Sequence, residues 1–308
     1  MLTDAFQQLK TNLELTPRFN ELVQQRQNSV RDYLHNNHLG VVDTKLIGSV
    51  RRKTRIQPLT GGKFDIDILI VMGSFYNWLP VGALTGITPQ KALSDLRRSV
   101  ASSDRYGAMN PQEEPPTITV EYSDATVVEF VPGYLDQIGA SSSGLMHSPK
   151  GRAYWVPVNG RWELADYDYD ADYFSDQNGA CGGWLIPTIK MLKAIKRGYF
   201  STMRSFHLDI IAAAIIPISV ASRKSNGAEV SYPTLIRDFF NYAPSQLSLT
   251  ARIPGSHSTP MTLTQPEIAT LTDTFQKIRA YIDSFQALPQ ESKQREGWKF
   301  LFGTPFPA

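Results

Sequence analysis

The eight-residue run Phe64-Asp65-Ile66-Asp67-Ile68-Leu69-Ile70-Val71 constrains this chain more than any other stretch. β-Branched and aromatic residues dominate it, which favours a strand, and strand side chains alternate with a period of two. Asp65 and Asp67 therefore project from one face, while Phe64, Ile66, Ile68 and Ile70 pack on the other. Like charges that close are costly to bury unless a cation lies between them. The same alternation also describes a half-buried strand whose aspartates face solvent. A third carboxylate on a neighbouring strand decides between the two readings.

A candidate for that carboxylate lies downstream. Thr117 to Tyr122 and Ala125 to Pro132 are two β-rich runs joined by a Ser123-Asp124 turn, the pattern of a hairpin. In the second run Glu129 shares its face with Val127 and Val131, and an acid on an apolar strand needs a partner. Glu121 sits beside the turn and reads as a solvated position. Upstream, Gly48-Ser49 precedes Asp65 by fifteen residues and supplies close backbone approach and a hydroxyl for phosphate oxygens. Hard carboxylate oxygens suit Mg²⁺ or Mn²⁺. The set reads as a metal-dependent nucleotidyl-transfer site.

Gly-Ser, Asp-x-Asp and a later strand acid, in that order, resemble the polymerase-beta-like nucleotidyltransferases. The chain looks most like the branch of cyclic GMP-AMP synthase and the bacterial cyclic-oligonucleotide synthases of antiphage defence, the CD-NTases. Gly48 to Pro58 resembles the family's Gly-Ser, basic, Thr, Ile, Pro spacer, and Val128-Glu129-Phe130-Val131-Pro132 its Val-Asp-Val-Val-Pro strand. Glu129 departs from the usual Asp, and its extra methylene asks for a slightly recessed backbone. Lys190-Met191-Leu192-Lys193, Arg204-Ser205-Phe206-His207 and the terminal Trp298 to Pro307 match further family segments. The resemblance runs from about residue 15 to the end of the sequence.

The resemblance implies an α+β, bilobal nucleotidyltransferase fold, with a mixed β-sheet catalytic lobe packed against a mainly helical C-terminal lobe. The division expected is 1–178 for the catalytic core with its N-terminal spine helix, and 179–308 for the helical lobe completing the nucleotide pocket. It further implies that Asp65, Asp67 and Glu129 are the catalytic acids and hold two Mg²⁺ (or Mn²⁺) ions. Gly48, Ser49, Lys193, Ser205 and Phe206 would bind the nucleoside triphosphate, Lys193 and Ser205 at phosphate and Phe206 stacked on the base. Lys190, Lys193 and Arg197 equally describe a solvated basic helix face. His207 is expected to be structural. The activity implied is synthesis of a cyclic di- or trinucleotide second messenger from NTPs, with release of pyrophosphate, acting on a separate effector in CBASS-type antiphage signalling. Transfer to an RNA 3′ end, a protein or a small molecule uses the same acids, and a non-catalytic nucleotide-binding scaffold would keep the fold.

Composition narrows the partners. Thirty-one basic and 29 acidic residues give a net charge of +2, too balanced for a dedicated nucleic-acid binder, although Arg51-Arg52-Lys53 could meet a triphosphate. A single cysteine, Cys181, excludes an intrachain disulfide and a cysteine-rich zinc module, and reads as a small buried thiol before a helix. No signal pattern opens the chain, and the apolar run Ile210 to Val220, interrupted by Pro217, is expected to be too short to span a bilayer. A cytoplasmic protein with no membrane partner is expected.

Helical periodicity predicts an opening helix from Thr16-Pro17 carrying Phe19, Leu22, Val23, Val30, Tyr33 and Leu34, and a second from Thr88-Pro89 carrying Ala92, Leu96 and Val100. A loop is predicted over Ser102 to Pro116 and another over Gly139 to Gly144, and the acidic tract Trp162 to Asp170 reads as a solvated connection between lobes. From Gly182 onward the chain is predicted mainly helical, ending in Gln265 to Leu288 with an Ile268, Leu271, Phe275, Ile278, Ile282 stripe.

Overall fold

The protein is seen here as a computed structural model describing residues 1–38, 40–74, 87–136, 153–256 and 260–307. The loop expected over Gly139 to Gly144 lies outside the described residues.

Among the described residues seven strands form one mixed sheet: β1 Asp43–Leu46, β2 Phe64–Ser74, β3 Gln112–Glu114, β4 Thr117–Glu121, β5 Thr126–Leu135, β6 Tyr154–Val158 and β7 Arg161–Ala165. Their order is β1-β2-β5-β4-β3, with β6 added to the end of β5 and β7 to β6. Among the described residues only β2 and β5 run parallel; β4 and β5 make the expected antiparallel hairpin. One face of β2 carries Phe64, Ile66, Ile68, Ile70 and Met72 into a core shared with α2 (Pro17–Asn37) and α4 (Pro89–Ala101). Past the acids the opposite face is also apolar, with Leu69, Val71 and Val131 packed on Tyr154 and Val156.

Local chemistry sets the helix ends. Thr16 occupies the N-cap position of α2 without a side-chain capping bond, and Pro17 stands in the first turn, where a missing N–H costs nothing. Thr88 Oγ1 accepts from the Lys91 backbone N–H at 3.1 Å and starts α4, whose Ala92, Leu93, Leu96 and Val100 are buried. The segment expected as a loop from Ser102 holds a short helix, α5 (Asp104–Gly107), and strand β3, which pairs with β4 and so was recognisable only through its partner.

The helical part comprises α6 Tyr167–Ala180, α7 Leu185–Tyr199, α8 Ser205–Ser225, α9 Tyr232–Gln246, α10 Gln265–Gln286 and α11 Glu291–Phe302. An N-terminal helix that periodicity did not single out, α1 (Leu2–Leu13), packs here and not on the sheet. Its Phe6 meets Trp298, Phe302 and Phe306 edge-on at ring separations of 5.1, 5.9 and 5.4 Å, so the two ends of the chain close the same core. The 178/179 division falls inside α6, and Phe174 of that helix belongs to the helical core. The tract Trp162 to Asp170 is not a solvated connection: it forms β7 and the start of α6, with Asp166 and Asp170 buried. Asp166 faces inward because its carboxylate caps α6, accepting from the Tyr169 N–H at 2.9 Å.

Pro217 does not interrupt α8 as the sequence suggested. The helix runs through it for 21 residues and is long and apolar enough to cross a membrane. Here it packs into the helical core, with Leu208, Ile211, Ala212, Ile215 and Ile216 buried. Cys181 is buried just before α7.

Candidate active site

Strand β1 is followed by Ile47, whose N–H donates to the Asp67 carbonyl at 3.0 Å, and the chain then turns sharply at Gly48 into α3 (Gly48–Arg51). Gly48 has φ +64°, and a Cβ there would lie 1.9 Å from Asp67 Oδ2 and 2.7 Å from its Cγ. Both the left-handed backbone and the contact demand glycine. The loop folds back on itself: the Ser49 carbonyl accepts from the Thr54 and Arg55 N–H groups at 2.9 and 3.1 Å, leaving Ser49 half-buried beside β2.

The register of the parallel pair places Asp65 opposite Val127 and Asp67 opposite Glu129. Period-two alternation then puts Asp65, Asp67 and Glu129 on one face of adjacent strands. Their electrostatics show how closely they feel one another. Burial raises the Asp67 carboxyl above its usual range, Arg52 and Arg55 oppose that rise, and Asp65 adds to it. Burial, followed by the charges of Asp67 and Asp65, pushes Glu129 up to about 7. Asp65 is held by Arg55, whose Nη1 lies 3.2 Å from its Oδ2. Glu121 shares this face, opposite Val127 near the turn, but it is exposed and paired with Lys63 at 2.7 Å.

Among the described residues no three carboxylate, imidazole or thiol side chains are gathered tightly enough to hold one metal ion. The three acids nonetheless fit a divalent cation chemically. They offer hard oxygen donors, two of them are destabilised as anions by burial and mutual repulsion, and the missing side chain at Gly48 is what lets the Asp67 carboxylate stand where it does.

The other expected residues lie at the junction of sheet and helices. Lys193 of α7 is buried, which excludes a solvated basic face for it, and Lys190 is likewise buried and paired with Glu14. The Lys193 ammonium donates to the Thr54 carbonyl at 3.1 Å, to Thr54 Oγ1 at 2.9 Å and to Asp209 Oδ2 at 3.0 Å. Burial pulls it down to about 8 although Asp209 opposes the fall. Thr54 Oγ1 in turn donates to Asp209 at 2.9 Å, and Arg52 Nη2 stands 3.6 Å from the same carboxylate. Arg197, the third member of that basic run, is exposed and donates to the Gln57 carbonyl at 2.9 Å. Ser205 is exposed at the first position of α8, and half-buried Phe206 has the Arg52 guanidinium 4.3 Å from its ring centroid. His207 is buried, and its Nε2 has no hydrogen-bond partner among the described residues. Burial lowers its pKa first, with Arg204 acting in the same direction, which favours the neutral ring.

Sequence reasoning passed over Arg55, Thr54 and Asp209. Thr54 and Arg55 stand inside the quoted Gly-Ser spacer, where only their residue types were visible. Asp209 did carry a signal, since an acid inside the apolar α8 sequence must find a cation when buried.

Residues 1–142 match the family model described as the Second Messenger Oligonucleotide or Dinucleotide Synthetase domain. No curated protein sequence matches the chain. Among solved structures, Escherichia coli MS115-1 CdnC with ATP is similar at TM-score 0.68 and 15% identity, covering 99% of both chains. Bradyrhizobium diazoefficiens CdnG, a CD-NTase in complex with GTP, is similar at 0.66 and 12% identity, covering 97% of this chain and 94% of that one. Vibrio cholerae DncV, a cyclic AMP-GMP synthase bound to the linear intermediate pppA(3′,5′)pG, is similar at 0.65 and 15% identity, covering 99% and 87%. The α+β nucleotidyltransferase fold expected from the sequence is the fold observed.

Proposed function

We propose that this chain is a nucleotidyltransferase that joins nucleoside triphosphates into a cyclic di- or trinucleotide second messenger and releases pyrophosphate. The observation that carries the reading is the contact of Gly48 with Asp67, in register with Glu129, inside the segment that matches the synthetase domain. A nucleotidyltransferase must bring a triphosphate onto a carboxylate pair, and a side chain at position 48 would stand where the Asp67 carboxylate does.

Asp65, Asp67 and Glu129 would hold Mg²⁺ or Mn²⁺, which when bound supplies a lowered pKa at the acceptor ribose hydroxyl and charge neutralisation at the leaving pyrophosphate. The chain's own groups do the rest. The Ile47 N–H fixes the strand that carries Asp67, and Gly48 keeps the backbone from displacing its carboxylate. Ser49 and Ser205 offer hydroxyls to phosphate oxygens, Ser205 from the N-terminal end of a long helix. Lys193 brings positive charge to the junction and favours ionised Asp67 from there. Phe206 offers a ring for a base, oriented by Arg52. The acceptor hydroxyl displaces pyrophosphate from the donor α-phosphate in line, and the same step within the linear product closes the ring, so no protein nucleophile is required. The product would act on a separate effector in antiphage signalling, and a cytoplasmic setting supplies its NTP substrates.

The test is incubation of the purified chain with each NTP and with mixtures in Mg²⁺, followed by phosphatase treatment and mass spectrometry. Phosphatase-resistant products of two or three nucleotides are expected, because a ring has no terminal phosphate. Extension of an added RNA primer without any resistant product would replace this reading with RNA tailing.

A further inference from the structure

Among the described residues, Arg55 makes the only ion pair to the three acids. Its backbone N–H is anchored on the Ser49 carbonyl at 3.1 Å, and its guanidinium lies 4.6 Å from the Phe64 ring centroid. The side chain is 19% exposed, whereas Asp65 remains 44% exposed. Arg55 therefore lies against Phe64, with its fork on an acid that still faces solvent. Its Nε has no hydrogen-bond partner among the described residues, so the fork is not saturated. Its charge also favours the ionised forms of Asp67 and Glu129.

We propose that Arg55 is a positioning residue that occupies Asp65 in the nucleotide-free chain and exchanges onto the triphosphate, so that divalent cation and nucleotide load together. The proposal rests on the nucleotidyltransferase reading of the same site. The physical reason is competition. A guanidinium 3.2 Å from Asp65 Oδ2 covers an oxygen that a cation would use, and it repels a dication arriving beside it. A triphosphate offers the planar fork several anionic oxygens in place of one carboxylate, with bidentate geometry. Moving there frees Asp65, and the new position stabilises the incoming anion. Metal alone then binds weakly, nucleotide strengthens metal, and by linkage metal strengthens nucleotide by the same factor.

The experiment is Mn²⁺ titration of the full chain, read by electron paramagnetic resonance of the free ion, without nucleotide and with a non-hydrolysable NTP. Arg55→Gln is expected to tighten nucleotide-free Mn²⁺ binding by about tenfold, the effect of removing one like charge a few ångströms from a dication in a solvated cleft. The factor by which nucleotide tightens Mn²⁺ should shrink in the same variant. Arg55→Met, which keeps a long stem against Phe64, should behave alike, and thermal melts establish that each variant is folded. Arg55→Lys keeps the charge and should stay near wild type without nucleotide, as should Arg51→Gln, whose guanidinium pairs with Asp168. Unchanged or weaker Mn²⁺ binding in folded Arg55→Gln and Arg55→Met would overturn the assignment. Tighter Mn²⁺ binding in a chain that makes no cyclic product would uphold Arg55 and remove the synthase reading, so the two failures are distinct.

Discussion

Substituting Gly48 by Ala tests the close approach at the heart of the site, and the structure supplies its control. At Gly48 an added Cβ meets Asp67 Oδ2 at 1.9 Å, Cγ at 2.7 Å and Cβ at 3.1 Å, with φ at +64°. At Gly61 φ is +75°, yet nothing lies within 4 Å of the added atom. Both substitutions force an L residue into the left-handed region, at about 1–2 kcal/mol. Melting temperature should fall in both by about 2–4 °C per kcal/mol. Only Gly48→Ala must also move a carboxylate, because rotation of Asp67 or retreat of the loop is required to clear a 1.9 Å overlap. A shift of about 1 Å in a reacting constellation costs on the order of 100-fold in rate, or about 2.7 kcal/mol of barrier. Pyrophosphate release under saturating NTP and Mg²⁺, measured beside a thermal melt, separates the two effects. Gly48→Ala turning over within a few-fold of Gly61→Ala, at similar melting temperature, would refute the argument that this glycine shapes the site.

Other outcomes follow from the same geometry. Replacing Asp65 and Asp67 together by Ala should abolish product while the chain stays folded, since burial and repulsion already disfavour the Asp67 anion without metal and Asp65 is partly exposed; unchanged NTP consumption would count against the site. Glu129→Gln should lower turnover by on the order of 100-fold, about 2.7 kcal/mol, with Glu121→Gln silent, and the reverse result would move the third acid to β4. Glu129 also sets a pH trend in chelator: its folded pKa of about 7 lies above the ordinary value of 4.5, so the folded state holds more protons between them and stability falls as pH rises through that window. Thermal melts from pH 4.5 to 8 should show that decline relative to Glu129→Gln, and parallel curves would contradict it. Lys193→Ala should cost about 3–5 kcal/mol of stability by removing a partner from wholly buried Asp209. Exposed Ser205→Ala should leave the urea midpoint unchanged and weaken a non-hydrolysable NTP by about 0.5–1.5 kcal/mol in titration calorimetry.

Period-two alternation in Phe64 to Val71 and in Ala125 to Pro132 was enough to place Asp65 and Asp67 on one face and Glu129 on the face of Val127 and Val131, because side-chain direction along a strand is a local property. The Thr16-Pro17 and Thr88-Pro89 starts and the Leu271 to Ile282 stripe were legible for the same reason, since caps and amphipathic faces are written within a few residues. Sequence alone left open that β2 and β5 are parallel neighbours with Asp67 beside Glu129, because pairing between segments some sixty residues apart is set by the packing of the whole sheet. It also left open the burial of Lys193, read equally well as a solvated face until Thr54 and Asp209 arrive from two other elements to satisfy its ammonium. α1 carries its apolar residues at helical spacing but has no partner until Trp298, Phe302 and Phe306 come back from the far end of the chain. Local direction is fixed by backbone geometry residue by residue; which charge meets which, and whether it is dry when it does, depends on contacts that only the folded chain brings together.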